Sequence, residues 1–164
     1  MTFLSRKTPP HIVTLVLIAG IGAASLNIFL PSMPGIARYF ETDYAVVQLL
    51  VSAYLAGTAI VQIIIGPLSD RYGRRPVLLI CFAIFLAATV WCAFATSFEM
   101  LLIGRLVQTV IVSGFALSRA IVRDMVPMEE AAGMIGYVTM GMTLVPMITP
   151  AVGGYLEEFF GWQS

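Results

Sequence analysis

Arg105 lies deep inside an apolar stretch that begins at Phe98, about 10 Å along the axis of a helix. A guanidinium at that depth in an apolar medium has to be bonded to water, to a carboxylate or to carbonyl oxygens. Gln108 falls on the same helix face. No Asp or Glu lies deep inside an apolar stretch, so the expected partner is a cavity or a group outside this sequence. These residues predict a pathway for a proton or a substrate.

Two further apolar stretches carry polar side chains that could belong to the same pathway. At 100° per residue, the polar residues of the second stretch fall within about 120° of arc: Gln48, Ser52, Thr58 and Gln62. Hydrogen bonding between packed helices and the lining of a wet cavity both explain such a stripe, and the two explanations stay open. In the first stretch, Asn27 shares a face with small residues. As a neutral amide, it cannot bind and release a proton near neutral pH.

These side chains have to be positioned by membrane-spanning helices. The chain of 164 residues is 59% hydrophobic and only 11% charged, with a mean hydropathy of +0.94, whereas about a quarter of the residues of a soluble domain are charged. The zero net charge excludes the basic footprint of a nucleic-acid-binding protein. Five stretches are long enough to cross a bilayer, and we place them at 12–30, 45–68, 76–96, 98–121 and 131–156. No soluble domain is expected in 1–164.

Lysine and arginine are concentrated on one side of these stretches, and positive loops are retained in the cytoplasm. The residues expected on that side are Arg6, Lys7, Arg71, Arg74, Arg75, Arg119 and Arg123. Arg38 falls on the other side, close to Glu41 and Asp43. We therefore expect the N-terminus to be cytoplasmic.

An internal repeat relates the two halves of the sequence. GPLSDRYGR, from Gly66, matches GYLEEFFGW, from Gly154, at an offset of 88 residues. Three stretches separate the two copies, and an odd number inverts the topology, as in many transporter folds. The partner of the third stretch would begin near residue 164. We therefore expect five spans of a six-span unit, truncated before the sixth.

The fifth stretch is rich in residues that weaken helical hydrogen bonding. These residues are Pro146, Pro150, Gly153 and Gly154. These residues are compatible with two roles: tight helix packing through small residues, and a hinge or gate. A hinge or gate would also need the tight packing.

Three motifs resemble the major facilitator superfamily. The first, between the second and third stretches, fits the signature G-x-x-x-D-R-x-G-R-R through Gly66, Asp70, Arg71, Gly73, Arg74 and Arg75. Arg105 and Gln108 resemble the R-x-x-Q of the fourth helix, and TPAVGG resembles the antiporter motif of the fifth. LNIFLPSMP and VPMITPAVGG look most like the Bcr/CflA-type drug resistance efflux branch. The resemblance covers the whole chain and the first half of a twelve-helix protein.

The resemblance implies proton-driven export of small drug-like compounds by alternating access, in a bacterial inner membrane. Asp70 would contact the other six-helix half and hold the inner side closed, and Arg74 would pair with Asp124. The implied partners are the lipid bilayer, a small-molecule substrate and the C-terminal six-helix half, with no nucleic acid, cofactor, metal or catalytic residue. Asn27, Thr109 and Thr149 depart from the usual motifs, and Asn27 puts the proton site in doubt.

Two other functions compete with drug efflux. One is a non-transporting fragment, truncated or dependent on a partner chain, and the other is a major facilitator transporter of a different small solute. An intramembrane enzyme is disfavoured, because hydrolysis or group transfer needs clustered carboxylates, a Ser/His pair or metal ligands, and the sequence has none of these in a span.

Overall fold

The computed structural model describes residues 11–162 as a bundle of helices, and it has no strand within that range. The predictions for Arg6, Lys7 and the chain end at Ser164 lie outside the described residues. The elements are α1 (Ile12–Asn27), a 3₁₀ turn (Leu30–Ser32), α2 (Met33–Tyr39), α3 (Tyr44–Tyr72), α4 (Arg74–Ala93), α5 (Phe98–Gln108), a second 3₁₀ turn (Thr109–Val112), α6 (Ser113–Met125) and α7 (Met128–Phe160).

Five helical segments are long and apolar enough to cross a membrane. They are Ile12–Tyr39, Tyr44–Tyr72, Arg74–Ala93, Phe98–Met125 and Met128–Phe160. Large apolar side chains cover the outside of the bundle, and Ile63 is 76% exposed and Met147 74% exposed. A surface of this kind is stable in lipid and not in water. The prediction of an all-α membrane protein with five spans is therefore confirmed. That 1–164 is part of an N-terminal domain stays a prediction.

The first span extends beyond the predicted range 12–30. Helix α1 ends at Asn27, because Pro31 has no N–H to donate to the Asn27 carbonyl and its ring would clash with that carbonyl. The chain then resumes as a 3₁₀ turn and as α2, each with a proline in its first turn, where a helix tolerates the missing N–H. The helical segment therefore continues to Tyr39.

The fourth span is broken, whereas the sequence suggested one continuous helix over 98–121. The hydroxyl of Thr109 donates to the Leu106 carbonyl at 2.7 Å, and three β-branched residues follow at 110–112. Both features weaken regular α-helical geometry. The chain passes through a 3₁₀ turn at this point and continues to Met125. The third span ends at Ala93 and the fifth covers Met128–Phe160, in place of the predicted 76–96 and 131–156.

Helix α1 packs against α6 and α7. Glycines bring the backbones close together: a Cβ on Gly114 of α6 would lie 3.1 Å from the Ile18 carbonyl oxygen, and a Cβ on Gly153 of α7 would overlap the Ile28 carbonyl. The buried core on one side of the bundle includes Leu15, Ala19, Leu117, Val122 and Val138. A second core near the other end includes Met33, Ile36, Val47, Leu50 and Leu101. Glycine contacts of this kind are the usual packing of helices in membranes.

The two copies of the repeat end their helices in the same way. Gly73 follows α3 with φ +92°, and Gly161 follows α7 with φ +82°. Their N–H groups donate to the carbonyls of Ser69 and Glu157, at 2.9 Å and 3.0 Å. Each bond spans four residues, and the two bonds are themselves 88 residues apart, as the sequence repeat predicts. Only glycine adopts such a φ without strain, which explains why it recurs in both copies.

Candidate functional site

Arg105 is held inside the bundle by neutral groups. Its guanidinium, on α5, is only 4% exposed. Nη1 donates to Gln108 Oε1 at 2.9 Å and to the Ser25 carbonyl at 3.4 Å, and Nη2 donates to the same carbonyl at 3.5 Å. Nε has no hydrogen-bond partner within the described residues. No carboxylate in residues 11–162 forms an ion pair with it.

The end of α1 supplies the acceptor for Arg105. The last four carbonyls of a helix have no partner within it, and Ser25 lies in this last turn of α1. The helix ends there because of Pro31, as described above. A cation at a helix C-terminus is also favoured by the helix dipole. The carbonyl that the arginine of the fourth span binds is therefore one of those left free at the end of α1.

Two aromatic rings and a third span complete the surroundings of Arg105. The guanidinium carbon lies 4.1 Å from the centroid of the Phe29 ring and 4.7 Å from that of Tyr54, within the range of cation–π attraction. Gln108 Nε2 donates to Thr89 Oγ1 of α4 at 2.9 Å. The charge is therefore stabilised by a carbonyl of α1, the Gln108 amide of α5, the Phe29 ring that follows α1 and the Tyr54 ring of α3.

A cavity of about 240 Å³ lies beside this arginine. Its lining combines aromatic side chains, such as Phe29, Phe85 and Trp162, with the polar groups of Thr89, Gln108 and Arg105. Mostly apolar walls with a few convergent polar groups are typical of sites that bind small molecules.

The predicted stripe on α3 lies apart from the Arg105 site. Gln48, Ser52 and Gln62 are exposed, and Thr58 is half-buried. The hydroxyls of Ser52 and Thr58 donate to carbonyls of their own helix. The contact of α3 with Arg105 is instead made by Tyr54, on another face of the helix. The stripe therefore belongs to an open face of the bundle.

Asn27 is bonded to its own helix. Its side-chain Nδ2 donates to the Ala23 carbonyl at 2.7 Å, and the residue is half-buried. This bond uses the amide as a donor, so the position favours a side chain that can donate a hydrogen bond to a backbone carbonyl.

At the end of the bundle that carries the turn after α3, Arg74 joins two spans. Its Nε lies 3.1 Å from Asp124 Oδ2 of α6, and its Nη2 lies 2.6 Å from Asp70 Oδ1 of α3. Nη1 donates to the Ser69 hydroxyl at 2.5 Å. Arg71 and Arg75 are exposed, and neither forms an ion pair within the described residues. Arg74 therefore connects three helices, whereas its two neighbours are free to contact other groups.

The opposite end of the bundle has its own cluster. Arg38 Nη2 lies 3.7 Å from Glu157 Oε1, which connects the end of α2 to the end of α7. The rings of Phe40 and Trp162 pack with their centroids 5.4 Å apart, and Phe98 contacts Phe40. Each end of the bundle therefore has an ion pair between spans that are distant in sequence.

The four residues of the predicted hinge lie in one unbroken helix. Helix α7 includes Pro146 and Pro150. Gly153 is buried against the Ile28 backbone, and the nearest atom to a Cβ on Gly154 would be Pro31 Cβ, at 3.8 Å. The packing function of Gly153 is therefore visible in the structure, and a hinge at these prolines stays a prediction.

The sequence analysis did not predict several residues of the site. Arg105 contacts the Ser25 carbonyl and the rings of Phe29 and Tyr54. Gln108 donates to the Thr89 hydroxyl. A backbone carbonyl carries no signal of residue type, and the rings belong to apolar stretches in which aromatic residues are common. Pro31 was the available signal, because it leaves acceptors free in the preceding turn.

Comparison with known proteins gives one family. Residues 15–164 match the family model described as Major Facilitator Superfamily. The Uncharacterized MFS-type transporter YdgK of Bacillus subtilis (strain 168) is 36% identical over 153 residues, which cover 92% of this chain and 38% of the relative. Multidrug resistance protein D of Escherichia coli (strain K12) is 29% identical over 151 residues, again 92% of this chain and 38% of the relative. MFS-type transporter phiD of Fungal sp. (strain ATCC 74256) is 32% identical over 140 residues, 85% of this chain and 21% of the relative. The chain thus spans less than half the length of these relatives.

Proposed function

Because the chain belongs to the Major Facilitator Superfamily, a family of membrane transporters, we propose that it forms part of a secondary transporter that exports small drug-like compounds in exchange for protons. Export proceeds by alternating access, in which this bundle and a C-terminal six-helix half move around a shared site. The name of one relative, Multidrug resistance protein D, supports the class of compound.

The observation that carries the proposal is the buried charge of Arg105 beside the cavity. Burying a charged side chain in a membrane protein costs several kcal/mol unless its surroundings compensate. Here the compensation comes from neutral groups alone within the described residues. A charge without a counter-ion attracts an acid of the substrate or of the other half, and its release and recapture can be coupled to transport.

The exposed polar stripe on α3 supports the proposal that a C-terminal six-helix half packs against this bundle. The exposed side chains of Gln48, Ser52 and Gln62 would be costly against lipid. Their hydrogen-bonding groups find partners where α3 borders water or another protein segment. Alternating access requires both of these environments along the transport pathway. The docking of a C-terminal half against this face leaves the polar stripe beside the transport pathway.

The distribution of arginines supports the orientation. Arg71, Arg74, Arg75 and Arg123 lie at one end of the bundle and Arg38 at the other. Positive residues are retained in the cytoplasm, so the turn after α3 faces the cytoplasm. We place the protein in the bacterial inner membrane, which the two bacterial relatives support and the fungal relative does not.

Proton coupling is tested by dye export from cells that carry the complete protein, with and without a pH gradient. The gradient is expected to accelerate export, and equal export in both conditions would contradict proton exchange. Asn27→Asp is expected to strengthen the dependence on the gradient, because an aspartate there can donate to the Ala23 carbonyl only while protonated. Asn27→Gln is the matched neutral control, and an identical pH dependence of the two variants would exclude position 27 from the proton pathway.

A further inference from the structure

An apolar groove runs between α3 and α4, and its walls contain none of the residues that contact Arg105. Its volume is about 440 Å³. The side chains that form its walls include Ile64, Leu68 and Tyr72 of α3 with Val77, Ile80 and Ile84 of α4. Ile64 and Ile80 are 56% and 58% exposed. The groove is therefore open on the outside of the described bundle.

The length of the groove matches one leaflet of the bilayer. On α3 it extends from Val61 to Tyr72, which is about 16 Å along the helix. The hydrocarbon core of a bilayer is about 30 Å thick, so half of it is about 15 Å. With the orientation proposed above, the turn after α3 lies at the membrane surface, and the groove extends from that turn towards the middle of the membrane.

Positive charge without a partner among the described residues lies at the mouth of the groove. The Arg71 guanidinium lies 5.5 Å from the centroid of the Tyr72 ring, and Tyr72 forms part of the groove wall. Arg71 and Arg75 form no ion pair within the described residues, whereas Arg74 is paired with Asp70 and Asp124. An apolar slot with the unpaired cation of Arg71 at one end complements one chemical class, an acidic phospholipid.

We propose that this groove binds an acidic phospholipid, with an acyl chain between α3 and α4 and its phosphate at Arg71. No acid among the described residues neutralises Arg71, which favours an acidic headgroup over a zwitterionic one. The site lies at the turn that contains Asp70 and Arg74, so lipid binding contacts the segment that joins the second and third spans. This inference rests on the membrane embedding of the bundle and is independent of the transported compound.

The headgroup contact is tested with the complete protein in neutral detergent, with native mass spectrometry to count bound lipid. The probes are phosphatidylglycerol and phosphatidylcholine with identical acyl chains. Arg71→Gln is expected to weaken phosphatidylglycerol binding about fivefold, the contribution of one arginine at a lipid surface. Arg123→Gln, an exposed arginine at the end of α6, is the matched control and is expected to leave binding unchanged.

The acyl contact is tested by filling the groove. Leu68→Trp is expected to displace the lipid, whereas Ile63→Trp, on an exposed face of α3 outside the groove, is expected to retain it. A monodisperse elution profile confirms that each variant is folded. Equal binding of the two lipids, or unchanged binding in Arg71→Gln, would overturn the proposal. Displacement of the lipid by soluble glycerol phosphate would overturn it too, since it would identify a phosphate site that needs no acyl chain.

Discussion

At Arg105, a permanent charge is held without a counter-ion in the described chain. Arginine suits this position, because its planar fork reaches the Ser25 carbonyl and Gln108 together while its face contacts the Phe29 ring. A lysine ammonium has neither the fork nor the flat face. The environment therefore selects for guanidinium geometry as well as for charge.

Gln108 and Thr89 continue the hydrogen-bond chain that begins at Arg105. We expect the loss of the Gln108 side chain to lower the stability of the protein more than the loss of the Thr89 hydroxyl. Gln108→Leu leaves Nη1 with only the long bond to Ser25, and an unsatisfied buried donor costs about 1–3 kcal/mol. Thr89→Val removes the acceptor of Gln108 Nε2, and this bond between two neutral groups beside an exposed residue is worth about 0.5–1.5 kcal/mol. Thermal unfolding of the purified variants in detergent measures both. A larger drop in Tm for Thr89→Val would contradict this order.

At the scale of the element, the turn after α3 depends on one glycine. Gly73→Ala places a side chain at φ +92°, and strain of this kind costs about 1–3 kcal/mol. A Cβ on Gly66, in the interior of α3, would meet no atom within 4 Å. Gly66→Ala is therefore expected to stabilise the helix by about 0.5–1 kcal/mol. The two substitutions should shift Tm in opposite directions, and a shift in the same direction would show that another contact controls one of these positions.

The crossing of α1 and α7 depends on the neighbouring pair Gly153 and Gly154. A Cβ on Gly153 would overlap the Ile28 carbonyl, whereas one on Gly154 would make an ordinary contact with Pro31 at 3.8 Å. Gly153→Ala is expected to cost about 1–3 kcal/mol, as overpacked cores do. Gly154→Ala is expected to be tolerated. Size-exclusion chromatography after heating compares the folded fractions, and equal loss in both variants would argue against the observed crossing.

At the scale of the whole molecule, apolar length predicted the number of spans but not their ends. The first and fifth spans continue beyond the apolar windows, because Pro31 and Pro34 begin new helical turns and because α7 extends to the glycine at 161, whereas the third span ends earlier, at Ala93. The break in the fourth span depends on Thr109, whose hydroxyl bonds to its own helix. The repeat at an offset of 88 residues was found from residue types, and it also relates the helix caps at Gly73 and Gly161, which share a backbone conformation and a hydrogen bond.

The sequence predicted those contacts of the candidate site that lie within one helix. It did not predict the contacts that depend on how different helices pack. The spacing of Arg105 and Gln108 predicted two side chains on one face, and they are bonded to each other. The carbonyl of Ser25 and the ring of Phe29 reach the same point only because α1 ends there. The polar stripe on α3 was found by its periodicity, but its separation from Arg105 follows from how α3 packs.

The most direct test of the account is export by the complete protein when Arg105 is changed. Arg105→Ala is expected to abolish dye export from cells while the protein still inserts in the membrane at its normal level. Arg105→Lys keeps the charge but loses the fork, and it is expected to export at least about tenfold more slowly, the equivalent of one lost charge-assisted bond. Arg123→Ala, at an exposed position, should export like the unaltered protein. Unaltered export by Arg105→Ala would contradict the account and leave Arg105 a structural role alone.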